Sequence, residues 1–126
     1  EYEAYHEPMR RFRVYDHDLQ EILKQQDDYS FRTDTGYYVC DLIDALEDAT
    51  RFTVQENTEI KDIGNRFIFE GDQIGFTEDV FGVVVSRKGT VVRSDTGMWT
   101  VVDVVTPFGL HDVKDRIILG HIYEGV

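Results

Sequence analysis

The sequence predicts one small, mainly β domain of α+β type, and three observations predict it. The chain has 126 residues, 41% hydrophobic and 13% aromatic, which is enough apolar material for one core. From residue 52 onward, short segments rich in β-branched and aromatic residues alternate with turn signals. Before that point, one segment has clear helical periodicity. Short strands spaced in this way predict a small antiparallel barrel or sandwich.

The chain is expected to open with a strand. Over residues 11–15, the apolar side chains of Phe12 and Val14 alternate with charged or polar ones, which is the period of a half-buried strand. The next segment, residues 17–28, begins with a pair of acids spaced as in a capping box. It is compatible with a short helix or with a hairpin, and the sequence leaves both open.

A helix is predicted over residues 39–49. Its apolar residues recur at i, i+3, i+4 and i+7, which predicts a buried face of Val39, Leu42, Ile43 and Leu46. The opposite face is acidic and contains Asp41, Asp44, Glu47 and Asp48. This acidic face is interpreted either as an ordinary solvated surface or as a docking surface for a protein partner.

The strands predicted after the helix are short and joined by tight turns. The segments with strand composition are Phe52 to Val54, Phe67 to Phe69, Val80 to Val85, Thr90 to Val92, Met98 to Val105 and Arg116 to Tyr123. Lys88-Gly89 and Asp95-Thr96-Gly97 are predicted to close hairpins between them.

Two Asp-Thr-Gly triplets, at residues 34–36 and 95–97, resemble the catalytic triplets of aspartic proteases. Their context opposes that function, because Arg32-Thr33 and Arg93-Ser94 precede them where the enzymes have apolar strand residues. The chain is also too short for two such lobes. Both triplets are therefore interpreted as hairpin turns, and no catalytic residue is predicted.

No metal or cofactor is predicted. The four histidines lack metal-site spacing, and the one cysteine, Cys40, is interpreted as a buried thiol in a reducing compartment. The acids between residues 70 and 79 lack the spacing of a calcium loop. No sequence motif of a phosphate-binding loop or a nucleophile elbow occurs.

The charge of the chain disfavours nucleic acid as a partner. The net charge is −12: residues 1–63 have 16 acidic and 7 basic side chains (−9), and residues 64–126 have 9 and 6 (−3). Such a surface repels phosphates, although residues 10–13 form one basic patch. Neither a bilayer-spanning apolar run nor a signal peptide is evident, so a cytoplasmic protein that does not interact with membranes is expected.

Three short segments together resemble the YopX family, small proteins encoded in phage and prophage genomes. They are residues 11–16, residues 61–72 and residues 119–124, and the resemblance spans about residues 9–124. The positions that carry the family pattern are Phe12, Arg13, Tyr15, Asp16, Lys61, Asp62, Glu70, Gly71, Asp72, Gly120 and Tyr123. In the second segment, Gly64-Asn65 inverts the usual order of the family.

The resemblance implies a single domain in two parts. It implies an SH3-like antiparallel β-barrel over about residues 58–126, preceded by an irregular α+β part over about residues 9–57. Residues 1–8 are then a flexible leader or an expression remnant, with Met9 as the natural start. The resemblance implies no established activity, cofactor or catalytic residue.

The family-pattern residues are interpreted as structural. Glu70-Gly71-Asp72 is predicted to form a turn before the next strand, with its glycine free of a Cβ penalty and its acids accepting from backbone N–H groups. Arg13 is interpreted as a salt-bridge residue and Asp16 as a turn former. Tyr15 and Tyr123 are expected at the edge of the core.

The function expected from these observations is that of a non-catalytic phage or prophage accessory protein. It would bind a bacterial host or phage protein through the acidic residues Asp41, Asp44, Glu47 and Asp48, and a homo-oligomer is compatible with this role. The alternative is a nucleic-acid-linked role, either through Arg10, Arg11 and Arg13 or through an acidic surface that mimics DNA.

Overall fold

Strands dominate the secondary structure, so the predicted mainly β class is confirmed. The computed structural model describes residues 11–25, 30–103 and 107–123. The leader predicted at residues 1–8 lies outside this described part. The chain divides into an N-terminal unit, Glu1–Val54, and a C-terminal unit, Gln55–Val126.

The described residues of the N-terminal unit form four short antiparallel strands and one helix. The strands are paired in the order β4-β3-β2-β1, and the helix follows β4 directly. Their bounds are β1 Phe12–Asp16, β2 Glu21–Gln25, β3 Ser30–Arg32, β4 Tyr38–Asp41 and α1 Leu42–Glu47. Its core contains Val14, Leu23, Phe31, Cys40, Ala45 and Phe52.

Strands β1 and β2 form a hairpin, with Val14 opposite Leu23 and Asp16 opposite Glu21. Of the two structures compatible with residues 17–28, the described part therefore adopts the hairpin. Asp16 explains the turn, because its Oδ1 accepts from the N–H groups of Asp18 (2.9 Å) and Leu19 (3.2 Å).

Helix α1 is shorter than predicted. The prediction of residues 39–49 is wrong at its start, because Val39 and Cys40 belong to β4. A capping box between Asp41 and Asp44 fixes the first turn. The predicted end is wrong as well: the N–H of Asp48 makes the last helical bond, to the carbonyl of Asp44, and the helix ends there because the backbone of Asp48 is not helical (φ −117°, ψ 75°).

The C-terminal unit consists of antiparallel strands. Strands β7, β8, β9, β10 and β11 form a five-stranded sheet in the order β10-β9-β8-β7-β11, and β5 pairs with β6. The pairing of the described residues does not close this sheet into a barrel. The bounds are β5 Phe52–Lys61, β6 Phe67–Phe69, β7 Asp72–Val80, β8 Val83–Arg93, β9 Trp99–Val102, β10 Pro107–Gly109 and β11 Lys114–His121, with a 3₁₀ turn at Leu110–Asp112.

One apolar cluster forms the core of the C-terminal unit. It combines residues of the β5–β6 pair, of the five-stranded sheet and of the segment around the 3₁₀ turn. Its buried members are Ile60, Ile68, Ile74, Phe76, Val91, Val101, Leu110 and Val113. Most of them are β-branched or aromatic, as expected for half-buried strands.

Two predictions about β7 and β8 are wrong. Residues 80–85 do not form one strand, because a two-residue loop at Phe81-Gly82 interrupts them and Val80 pairs with Val83. Gly89 closes no hairpin either, since it lies within β8 opposite Ile74. A Cβ on Gly89 would lie 2.7 Å from the carbonyl oxygen of Val102, so this glycine allows the close approach of β9.

The two Asp-Thr-Gly triplets form the predicted hairpin loops. In the first, the N–H of Gly36 donates to the carbonyl of Thr33, and Gly36 has a φ of 93°. In the second, Gly97 donates to Ser94 in the same way with a φ of 86°. The left-handed conformation explains the glycine in both. Both aspartates are exposed, unlike those of an aspartic protease.

Candidate partner-binding site on helix α1

Helix α1 exposes aliphatic and acidic side chains together. Ile43 and Leu46 are 65% and 61% exposed, and Asp44, Glu47 and Asp48 are exposed as well. We call these five residues the acidic-aliphatic surface. The predicted burial of Ile43 and Leu46 is wrong, because the six-residue helix packs the buried Ala45 and the half-buried Leu42 against the core.

Asp41 and Asp44 form the capping box at the start of the helix that bears this surface. Asp41 Oδ1 accepts from the N–H of Asp44 at 2.8 Å, and Asp44 Oδ2 accepts from the N–H of Asp41 at 3.3 Å. Asp48 Oδ1 accepts from the hydroxyl of Thr50 and the N–H of Arg51. These bonds position Asp41, Asp44 and Asp48. Together with Glu47, the four predicted acids therefore lie on one helix and at its caps.

The negative potential of this region is evident in two neighbouring pKa values. Burial, followed by the carboxylates of Asp44, Asp16 and Asp41, raises the pKa of the Cys40 thiol from 9.0 to about 11. Desolvation and the carboxylates of Asp41 and Asp44 raise the pKa of Tyr38. Cys40 is therefore a neutral, buried thiol rather than a nucleophile.

Exposed aromatic residues precede the helix. Tyr37 and Tyr38 are 74% and 52% exposed, and the guanidinium carbon of Arg32 lies 5.7 Å from the ring centre of Tyr38. The sequence did not predict these tyrosines as part of a site. The signal that could have identified them is the pair of adjacent tyrosines shortly before the acidic helix. Strand alternation would place one of the two side chains on the buried face, but both are exposed.

Asp16 is the buried acid of an ion pair with the partly exposed Arg51. Besides the two turn N–H groups, it accepts from Arg51 Nε at 3.1 Å and from Arg51 Nη2 at 2.9 Å. Although burial raises the pKa of Asp16, the bonds from Arg51, Leu19 and Asp18 outweigh it and keep the pKa below 3.8. The sequence identified Asp16 but did not identify Arg51, which lies 35 residues away.

The other family-pattern residues of β1 lie in or beside the core. Phe12 packs against the N-terminal core, and Arg13 is half-buried. Tyr15 is buried, and its ring contacts His17 edge-on with 4.9 Å between ring centres. In the alternative basic patch, Arg11 is exposed, whereas Arg10 lies outside the described residues.

Asp62 has a comparable role in the C-terminal unit. Its Oδ1 accepts from the N–H groups of Gly64 and Arg66, both at 2.9 Å, and its Oδ2 accepts from the N–H of Ile118 at 3.1 Å. Arg66 Nη2 donates to Oδ2 at 3.0 Å. Burial raises the pKa of Asp62, but these bonds keep it below 3.8. The ammonium group of Lys61 lies 4.9 Å from the ring centre of Phe67.

Residues 70–72 form the predicted turn between β6 and β7. Asp72 is buried, and its Oδ2 accepts from the N–H of Phe69 at 2.8 Å. Gly71 has a φ of 89°, and a Cβ there would lie 2.2 Å from Nε2 of the buried Gln55. Glu70 Oε1 accepts from the N–H of Glu56 at 3.5 Å.

The C-terminal family-pattern residues lie at the end of the five-stranded sheet. Gly120 is opposite Gln73 in β7, beside the turn at residues 70–72. The half-buried Tyr123 follows β11, and its N–H donates to His121 Nδ1 at 3.1 Å. The N–H of Ile122 donates to the carbonyl of Gly71, so the second and third family-pattern segments meet here.

The buried carboxylates of Asp16, Asp62 and Asp72 therefore hold loops in place, whereas the carboxylates on α1 and at its C-terminal end are exposed. Among the described residues, no three His, Cys, Asp or Glu side chains come together as a metal site requires. None of the described helices is long and apolar enough to span a membrane. No protein-family model matches the chain, and no curated protein matches its sequence.

Proposed function

We propose that this protein is a binding module without chemistry of its own, which engages another protein through the acidic-aliphatic surface of helix α1. The observation that supports the proposal is the joint exposure of Ile43 and Leu46 with Asp44, Glu47 and Asp48. A helix that served only as a solvated surface would need the carboxylates but not two large aliphatic residues.

The composition of this surface determines the kind of partner. Apolar contacts supply most of the affinity of an interface, whereas rim charges direct the encounter and select the partner. Ile43 and Leu46 would enter an apolar depression, and the acids around them would face Lys or Arg residues. The partner is therefore a bacterial host or phage protein with a basic surface around an apolar pocket.

The origin and fold of the protein are part of the proposal. The resemblance at residues 11–16, 61–72 and 119–124 supports a YopX-type accessory protein, encoded by a phage or prophage and acting in the bacterial cytoplasm. The antiparallel order of the strands in the C-terminal unit, around one core, supports the finer assignment as an SH3-like barrel. An experimental structure compared with SH3-like proteins tests that assignment.

A pair of matched charge reversals tests the binding surface. The partner is first captured from lysate of the bacterial host and purified, and its affinity is then measured by calorimetry. Glu47→Lys reverses a charge at the end of α1, where the helix dipole favours a cation. Asp95→Lys, in an exposed loop of the C-terminal unit, is the control. We expect Glu47→Lys to weaken binding about tenfold and Asp95→Lys to leave it unchanged.

The aliphatic part of the surface is tested in the same assay. Ile43→Gln and Leu46→Gln keep a good helix former at each position while removing the apolar contact. Each is expected to weaken binding about tenfold. Equal affinity of these variants and the wild type would contradict the proposal. Direct, salt-sensitive binding of DNA in a gel shift would favour the nucleic-acid-linked alternative.

A further inference from the structure

The β7–β8 hairpin ends in a fully exposed aromatic residue. Phe81 and Gly82 form its two-residue loop with φ values of 51° and 85°, the pattern of a type I′ turn, which favours Asn or Gly. The Phe81 side chain is fully exposed, and Val83 and Val84 beside it are 63% and 68% exposed. The tip is thus an apolar knob. The positive φ of Phe81 costs free energy, and no packing within the chain offsets it.

The same sheet contains a groove beside the middle of this hairpin, at residues 75–77 and 86–88. The groove has a volume of about 480 Å³, larger than a phenylalanine side chain, and Gly75, Ile117 and Leu119 line its apolar part. A Cβ on Gly75 would lie 3.4 Å from Ile117 and Leu119, so the missing side chain leaves the space between them. Lys88, paired with Gly75, lies at its polar side.

Knob and groove belong to the same hairpin. Side chains alternate along a strand, so Gly75, Thr77 and Asp79 share one face of β7, which ends at the loop that bears Phe81. The pairing of β7 with β8 is continuous from Gln73 opposite Thr90 to the tip. The distance between knob and groove is therefore fixed by an unbroken antiparallel ladder.

We infer that two copies of this chain associate through this hairpin, with Phe81 of each copy inserted into the Gly75 groove of the other. A knob and a groove on one rigid hairpin can be exchanged between two copies by a twofold rotation, which forms both contacts at once. Such an isologous contact closes at two copies and does not extend into a fibre.

Charge is compatible with a second copy as the occupant. Residues 64–126 have 9 acidic and 6 basic side chains, so this part brings little repulsion to the contact. Asp79 lies next to the knob, whereas Arg87, Lys88 and Asp115 line the groove, where Asp115 Oδ2 accepts from Thr77 Oγ1 at 2.8 Å. The groove therefore has one base more than it has acids, and the exchange brings Asp79 of one copy toward it at both contacts.

Two variants of the full chain test the association by sedimentation velocity between about 1 μM and about 1 mM. Phe81→Asn removes the knob and introduces the residue that the turn favours, so the fold is retained. Gly75→Val fills the groove with a β-branched residue suited to a strand. We expect wild-type dimers, and dimer dissociation constants raised about tenfold or more in each variant.

Mixing the two variants gives the most specific test. Neither variant forms a knob-in-groove contact with itself, but the knob of Gly75→Val fits the groove of Phe81→Asn. We therefore expect the mixture to form heterodimers at concentrations where each variant alone is monomeric. A monomeric wild type, assemblies larger than dimers, or a mixture no more associated than its components would overturn the inference.

This inference does not depend on the proposed function. Ile43→Gln in the N-terminal unit serves as the control, because it should weaken partner binding and leave the dimer unchanged. Conversely, Phe81→Asn should leave the intrinsic affinity for the α1 partner unchanged. A loss of dimerisation in Ile43→Gln would overturn the assignment to the β7–β8 hairpin.

Discussion

Each of the two units contains a buried aspartate carboxylate that accepts from both backbone N–H groups and an arginine, but the balance of these donors differs. In the N-terminal unit, Asp16 accepts two bonds from backbone N–H groups and two from the side chain of Arg51. In the C-terminal unit, Asp62 accepts three bonds from backbone N–H groups and one from Arg66. The first unit thus depends more on an ion pair and the second more on its backbone.

This difference has energetic consequences. Backbone N–H groups are held in place by the strands around them, whereas an arginine side chain loses rotamer freedom to form its bonds. Arg51 and Arg66 are both substantially exposed, so solvent screens their charges. Removing either acid should therefore be more harmful than removing its arginine.

The largest effect is expected from Asp62→Ala. It leaves the N–H groups of Gly64, Arg66 and Ile118 without their acceptor, at an expected cost of about 3–5 kcal/mol in the free energy of unfolding. Asp16→Ala should cost about 2–4 kcal/mol, because its two backbone donors lie in a turn. Urea unfolding at neutral pH measures both. A larger loss in Asp16→Ala would reverse the comparison.

Among the arginine variants, the larger loss of stability is expected in the N-terminal unit. Arg51→Ala leaves Asp16 with two donors, and we expect a loss of about 2 kcal/mol. Arg66→Ala leaves Asp62 with three donors, and about 0.5–1 kcal/mol is expected. Arg11→Ala, at an exposed position, is the control for removing a positive charge. Equal losses at positions 51 and 66 in urea unfolding would show that the extra backbone bond is unimportant.

Acid should weaken both units in the same direction. The pKa values of Asp16 and Asp62 lie below 3.8 in the folded protein, so the unfolded chain takes up protons first as the pH falls. Their stabilisation is complete above the unfolded-state pKa and is lost as the pH falls through the folded-state values. Urea midpoints from about pH 5 to about pH 2 measure the loss.

The control for the acid prediction replaces the titrating group. Asp16→Asn removes one titration and should flatten the dependence on pH, whereas Asp95→Asn, at an exposed loop, should not. Parallel curves for the wild type and Asp16→Asn would show that Asp16 has the same pKa in the folded and unfolded chains.

The smallest effects are expected at two turns with positive φ, one in each unit. Gln20 has a φ of 58° and Phe81 a φ of 51°, and both are exposed. Gln20→Asn and Phe81→Asn should each raise the thermal midpoint, by a stability gain of about 0.5–1 kcal/mol. Calorimetry at low concentration, where Phe81 makes no dimer contact, measures both. A lower midpoint in Phe81→Asn would mean that Phe81 packs within its own chain.

Much of the fold was predictable because it depends on local signals. The alternation around Phe12 and Val14, the strand at Phe67–Phe69 and the Asp-Thr-Gly loops follow from side-chain period and turn chemistry. Lys88-Gly89 had the same turn signal as these loops, but Gly89 lies within β8, where the absence of a side chain allows β9 to approach closely. A local signal cannot distinguish a glycine needed for a turn from one needed for packing.

The candidate site was predictable only in part. The four acids were identified from their spacing. The prediction that the opposite, apolar face of the helix is buried was wrong for Ile43 and Leu46, which are exposed together with the acids. A periodic pattern predicts which residues share a helix face but not how many turns the core covers. Here the cap at Asp41 shortens the helix, and small Ala45 is its only buried residue.

The sequence by itself determined the mainly β class, the acidity of the N-terminal half and most turns, since these depend on composition and on residues a few positions apart. Tertiary structure alone decided the partners of the buried acids. Arg51 lies 35 residues from Asp16, and Ile118 lies 56 residues from Asp62. The physical reason is that a buried carboxylate must be satisfied by whichever donors the completed fold brings to it, and chain spacing does not specify those donors.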